Sequence, residues 1–396
     1  MPVIYTLPVG HSDNTSEVIH ASDINNLAVA INEISGRAVF TDVYAKAQMR
    51  QFHRGLVGAA ASPCDVVVIG DSETEGVGAT TLGPAGTRMT EVLRGIARAA
   101  FQPSGVLGGE GYIPTYQVNV ANRWTVTGGS LLMNWGFGRR ARLISAAGNQ
   151  LSLTVKCTGI DIFWAGNTTT GSFSWAIDGG AATTVNTVKA GPTGSNVTQI
   201  RGLVSGNHSL VIAFVSGSTV IEGIQVYDGD ELVGVRIWEG GHSSYKTGDY
   251  VGLASLSGLE WIDSIGTIQP DLVIIALMVN DYFYSVDPAT TKANLKTLMT
   301  NVRAKCTYPP SIALTVQPKR ADAFTPAFPW SQYVAAVYAA AAEDGFATVI
   351  NIDDRFWTGS LAPYATGVAL LGVDQIHPTD LGYAVWAQAV WGVIRP

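Results

Sequence analysis

Cysteine, charge and long apolar runs are all scarce in this chain. Its three cysteines, Cys64, Cys157 and Cys306, lie far apart in 396 residues. An odd number without Cys-x-x-Cys or Cys/His spacing supports neither a disulfide framework nor a zinc site, so each is read as a small buried hydrophobe. Charged residues make up only 14% of the chain, 24 Lys and Arg against 31 Asp and Glu, for a net charge of −7. No basic cluster is arranged to follow a phosphate backbone, which excludes nucleic acid as an expected partner. The longest apolar run, residues 272–279, has the length of a strand, so no membrane span is expected. The opening residues MPVIYTLPVGHSDN lack a basic stretch followed by an apolar one. No secretory signal is therefore visible, and an extracellular site of action would need another export route.

Hydrophobic residues are plentiful, at 47%, and 44 glycines and 17 prolines are spread along the chain. Packed cores joined by many turns follow, and disorder does not. The length exceeds that of an average domain and predicts two or three folded units.

In residues 1–55, Ser22 and Asp23 can cap a helix with apolar positions Ile24, Leu27, Ile31 and Ile34. Spacings of three, four and three make a stripe across about two heptads. It reads equally as an amphipathic helix on its own domain or as an oligomerisation and attachment segment. Residues 56–100 and 230–396 alternate apolar strands with amphipathic helices. Strands are predicted at 66–69, 233–238, 272–278, 312–316 and 347–352, and helices at 292–305, 330–344 and 381–391. Unbroken apolar strands suit a parallel sheet covered on both faces, here an α/β layered domain with flavodoxin-like order. Across 101–229 the helical signal disappears, and short alternating strands such as 151–155, 172–177 and 209–214 sit between Gly/Asn/Ser/Thr turns. That pattern predicts an all-β sandwich, jelly-roll-like, inserted after the first strand and helix of the α/β domain.

Gly70-Asp71-Ser72 follows the first predicted strand, at the edge where open parallel sheets present functional groups. By itself Ser72 is an ordinary helix cap. Asp374-Gln375-Ile376-His377-Pro378, before the last helix, supplies what a serine nucleophile needs. Histidine titrates near neutrality and can take the hydroxyl proton, and a carboxylate fixes its tautomer. Asn280, after the 272–278 strand, can aim its amide at a developing oxyanion. Glu239-Gly240-Gly241-His242-Ser243-Ser244, after the 233–238 strand, is a glycine-rich turn able to offer backbone N–H groups. His242 is a rival base, but it lacks the carboxylate and helix that accompany His377.

The order Ser, Gly-rich turn, Asn, Asp/His resembles the SGNH (GDSL-type) hydrolases, through Gly70-Asp71-Ser72, Asn280-Asp281 and Asp374-x-x-His377. The resemblance spans about 60–100 and 230–396, and implies a three-layer α/β serine esterase with Ser72, Asp374 and His377 as its triad. Backbone N–H groups of Ser72 and Ser244, with Gly241 just upstream, and the Asn280 amide form the implied oxyanion hole. Met278 stands where the family usually has glycine, and Ser244 aligns with its oxyanion glycine. No metal or organic cofactor is implied. The insert looks like the sandwich modules of carbohydrate esterases. Trp124, Trp135, Phe163, Trp164, Phe173 and Trp175 are each expected in its core, with sugar stacking as the alternative.

Residues 20–32 resemble the opening of actinobacteriophage tail proteins. With that likeness the expected partner is an acylated polysaccharide or cell-envelope glycan met by a virion-borne esterase, homo-oligomeric and most simply trimeric. The competing expectations are a non-catalytic glycan-binding tail or adhesin subunit, and a lipase or thioesterase acting on envelope lipid.

Overall fold

The computed structural model describes residue 42 and residues 47–166, 168–169, 171–191, 193–251, 261–356 and 369–396. The capped helix expected from Ser22 lies outside them, as does most of the segment 1–55. Helix α1 (Arg50–Gly58) is described, and the boundary expected at residue 55 cuts through it. Met49, Phe52 and Leu56 are buried in the same core as the first sheet strand, so this helix belongs to the α/β unit.

Strand β1 (Cys64–Gly70) leads to the one-turn helix α2 (Ser72–Glu75) and then to α3 (Met89–Phe101). The Val66-Val67-Val68-Ile69 run is buried throughout, because helices cover both faces of the sheet it centres. The chain then makes eleven strands before returning to that sheet. They are β2 (Gly111–Pro114), β3 (Thr125–Thr127), β4 (Ser130–Leu132), β5 (Ala141–Ile144), β6 (Gln150–Cys157) and β7 (Gly159–Gly166). After them come β8 (Ser172–Ile177), β9 (Thr183–Asn186), β10 (Gly194–Ile200), β11 (Gly206–Ser216) and β12 (Thr219–Tyr227).

The α/β unit resumes with β13 (Val235–Gly241), α4 (Thr247–Val251), α5 (Trp261–Ile268), β14 (Leu272–Ala276) and α6 (Val279–Phe283). It ends with α7 (Pro288–Lys305), β15 (Ser311–Val316), α8 (Trp330–Asp344), β16 (Ala347–Asn351), α9 (Asp353–Phe356) and α10 (Asp380–Ile394). The sheet order β13-β1-β14-β15-β16 is parallel throughout, which is the flavodoxin-like order. Its carboxyl edge therefore gathers the turns after β1, β13, β14 and β15. Among the described residues no helix is long and apolar enough to cross a membrane.

The inserted strands form two antiparallel sheets, β10-β7-β12-β5-β4 with β2 beside β12, and β3-β6-β11-β8-β9. Along β6 the buried positions alternate, as one inward face requires: Leu151, Leu153, Val155 and Cys157 point into the core. Strand β7 is buried at every position instead, because its second face lies on the α/β unit. There Phe163 meets Trp238 edge-on at 5.5 Å, and Tyr112 stacks on the same Trp238 at 5.9 Å. Such aromatic pairs add about 0.5–1.5 kcal/mol each beyond the area they bury. Trp124, Phe163, Trp164 and Phe173 are buried, while Trp135 and Trp175 pack half-buried against the insert's clusters. These six aromatics pack into cores and junctions. All three cysteines are buried and unpaired.

Candidate active site

Gly70 ends β1 between Gly241 and Ala276 of the neighbouring strands. A Cβ there would fall 1.9 Å from Thr74 Oγ1 and 2.8 Å from the Ala276 carbonyl, so only glycine lets the chain turn this tightly. Asp71 then caps α2, accepting the Glu73 N–H at 3.0 Å. The nucleophile candidate Ser72 is thus the first residue of a helical turn and is set back from solvent, at 7% exposure.

His377 reaches Ser72 from the far end of the sequence. Its Nε2 is 2.8 Å from Ser72 Oγ, and its Nδ1 is 2.6 Å from Asp374 Oδ2. A carboxylate only accepts, so Nδ1 carries the proton and Nε2 is left to accept the Ser72 hydroxyl. Asp374 also accepts the N–H groups of Ile376 and His377 through Oδ1, at 3.0 and 3.1 Å. Burial opposes its ionisation, but the His377 bond and these two N–H groups outweigh it and hold the carboxyl below its usual range. The loop is itself braced. Gly372 N–H donates to the His377 carbonyl at 2.8 Å, and Ala321 N–H to that of Gln375 at 2.7 Å. Thr379 caps α10 through Gly382 N–H at 3.2 Å.

Strand β14 stops at Ala276, not at residue 278, and Asn280 stands in the helical turn α6. The Met278 position that lacks the family glycine is the cap of that turn. Asn280 Nδ2 donates one hydrogen to the Tyr245 carbonyl at 3.0 Å, which leaves its second N–H for another acceptor.

The glycine-rich turn differs from its sequence reading. Residues 239–241 are strand, paired with β1 as far as Gly70, because the Gly-Gly pair lets the two backbones stay in register beside α2. Gly241 N–H is consumed by Glu239 Oε1 at 2.5 Å and is not a free oxyanion donor. Ser243 N–H is likewise held by Glu75 Oε2 at 3.1 Å. Ser244 is exposed, in the left-handed region at φ 68°. His242 is 1% exposed, stacked on Tyr245 at 3.5 Å between centroids, with Nδ1 near the Ser243 carbonyl at 3.0 Å. Burial, assisted by Arg140 and Arg139, lowers its pKa to about 3, so it stays neutral, and the Ser72 hydroxyl is bonded to His377 instead.

The buried charges under this turn had no signal in the sequence. Arg140, fully buried and contributed by the insert, lies 2.8 Å from Glu239 and 3.6 Å from Glu75. Arg88 reaches Glu239 at 3.2 Å and Glu91 at 3.0 Å. Tyr245 hydroxyl meets Asn134 Oδ1 of the insert at 2.9 Å, so the insert touches the same turn twice. Nothing in local spacing pairs Arg140 with Glu75 and Glu239; only the fold does. Among the described residues no three His, Cys, Asp or Glu side chains are grouped to hold a metal ion.

Residues 230–385 match the model of the GDSL-like lipase/acylhydrolase family, a stretch that includes Asn280, Asp374 and His377. Among solved structures, a peptidoglycan O-acetylesterase superposes with a TM-score of 0.65 at 14% identity, over 88% of this chain and 96% of its own. Family two carbohydrate esterases from Clostridium thermocellum (14% identity, 67% and 97% coverage) and Cellvibrio japonicus (13%, 72% and 97%) give TM-scores of 0.30 and 0.29, too low to bear on the argument. No curated protein matches the sequence significantly. The chain carries a GDSL-like lipase/acylhydrolase domain, an ester-hydrolysing unit of SGNH-type fold whose sheet is interrupted by a two-sheet β insert.

Proposed function

We propose that this esterase works through Ser72, His377 and Asp374 to remove O-acetyl groups from a surface glycan. The observation that carries the reading is the continuous bonding from Asp374 through His377 to Ser72 Oγ, at 2.6 and 2.8 Å. His377 takes the hydroxyl proton as Ser72 attacks the ester carbonyl, and returns it to the departing sugar oxygen. Water, deprotonated by the same imidazole, then releases acetate from the acyl-enzyme. The free N–H of Asn280 and the backbone N–H groups of Ser72 and Ser244 receive the oxyanion. The glycan part of the reading is supported by the fold-level likeness to a peptidoglycan O-acetylesterase. Half-buried Tyr245 and Phe283 and exposed Tyr284, on the two turns joined through Asn280, add flat apolar surface of the kind sugars stack on.

The test is hydrolysis of p-nitrophenyl esters of graded chain length by the wild type and by Ser72→Ala. Activity on acetate that falls steeply with chain length and vanishes in the variant is expected. Equal turnover of long-chain esters would favour a lipid substrate, and a folded but inert wild type would favour a glycan-binding subunit.

The same reading assigns residues 1–41, ahead of helix α1, to virion attachment and oligomerisation, on the likeness of residues 20–32 to tail proteins. Residues 101–229 are then a module set between the two parts of the hydrolase. Light scattering on the full chain and on a form lacking residues 1–41, which spares the buried helix α1, tests this. A monomer in both would remove the oligomerisation role.

A further inference from the structure

We infer that Gln317 is a positioning residue that holds the Ser72 turn and the Asn280 turn at a fixed separation. The inference rests on the proposed roles of those two residues. Gln317 directly follows β15, two strands from β1, and its side chain is fully buried. Its Nε2 donates to Asp71 Oδ2 at 2.9 Å and to Glu73 Oε2 at 2.8 Å, the carboxylates on either side of Ser72. Its Oε1 accepts the N–H of Val279, the residue before Asn280, at 3.1 Å. One amide thus reaches beneath β14 and ties the chain on both sides of the nucleophile to the turn bearing the oxyanion donor.

Only a primary amide fits all three bonds. It donates twice from one end and accepts at the other, which neither a carboxylate nor an alkyl chain does. The arrangement is also costly to stability, which is why it reads as functional. Asp71 and Glu73 are fully buried acidic side chains, Glu73 Oε1 has no hydrogen-bond partner, and burial pushes the pKa of both upward, that of Asp71 to about 7. A fold needing only stability at this point would be served by apolar side chains.

The experiment measures kcat and KM for p-nitrophenyl acetate, together with the rate at which a fluorophosphonate labels Ser72, in the full chain. Gln317→Leu is expected to lower kcat and the labelling rate by about 10²-fold with KM within about twofold, since small misplacements of reacting groups cost that much. Gln317→Glu keeps the shape but loses the donor. Its kcat relative to wild type should rise about tenfold from pH 8 to pH 6, as protonation returns an O–H to the cluster. The groups facing that cluster are Asp71, Glu73, Asp281, Arg320, Asp374 and Tyr383, and because the Gln317 amide itself lowers the pKa of Asp71 and Glu73, the ratio reads the protonation of the whole cluster. A folded Gln317→Leu protein with kcat within threefold of wild type overturns the inference. Should that variant not fold, a flat Gln317→Glu ratio overturns it. An inert wild type whose Ser72 resists the fluorophosphonate instead overturns the esterase reading, and the inference with it.

Discussion

His242 and His377 stand on two turns at the carboxyl edge of one sheet. The 239–243 segment is closed: the Glu239 carboxylate, the Gly241 and Ser243 amides and the His242 ring are buried, held among Arg140, Arg88, Glu75 and the Tyr245 ring. The 372–379 turn is open, with His377 half-buried between Asp374 and Ser72. The same side chain is held neutral by burial in the first turn and is bonded between a carboxylate and the Ser72 hydroxyl in the second. What separates them is the partner on the far nitrogen and the access of water.

The largest break in this comparison should come from kinetics. Ser72→Ala or His377→Ala should lower kcat on p-nitrophenyl acetate by about 10⁶-fold, whereas His242→Phe, which keeps the stack on Tyr245, should stay within about tenfold. An equal loss from His242→Phe would return that residue to the mechanism. Next in size, Asn280→Ala should reduce kcat by about 10²–10³-fold with little change in KM, as loss of one oxyanion donor does. If KM rises while kcat holds, Asn280 binds the ground state instead.

Arg140→Leu tests how the closed turn is held. It leaves Glu75 and Glu239 buried beside each other, and urea unfolding should show a loss of about 3–5 kcal/mol. A loss under 1 kcal/mol would mean that Arg88 suffices to hold them.

The smallest expected effect is a pH dependence. With the His242 pKa lowered from 6.5 to about 3, the unfolded chain takes up a proton that the native state refuses. Its contribution is complete above pH 6.5 and is lost as pH falls toward about 3. Between pH 6.5 and 4, the wild-type Tm should fall more steeply than that of His242→Phe. Parallel curves would show that the imidazole is protonated where it stands.

Much of this was legible in the residues. The β-branched run 66–69, the helices expected from 330 and 381 and the alternation along β6 declare their elements, because local propensity and burial agree there. Asp374 and His377 declare each other because three residues on one loop bring them into contact without help from elsewhere. Asn280 was legible as a residue but not in its setting: the strand ends three residues before its apolar run does, since Met278 caps and Val279 begins α6, and both are buried there without strand pairing. The strand character of Gly240 and Gly241 was hidden for the opposite reason. Glycine reads as a turn locally, yet here it permits close approach of two backbones and α2.

The sequence alone determined the α/β alternation, the interruption by β strands and the candidates for a nucleophile, a base and its carboxylate, because each is written in short-range pattern. Tertiary structure alone decided which histidine meets Ser72, which turn amides are already occupied, and that Arg140 and Gln317 brace the site from opposite sides. Those contacts join residues from about 60 to 300 positions apart. A chain carries no local trace of a bond that exists only once strands far apart in sequence lie side by side.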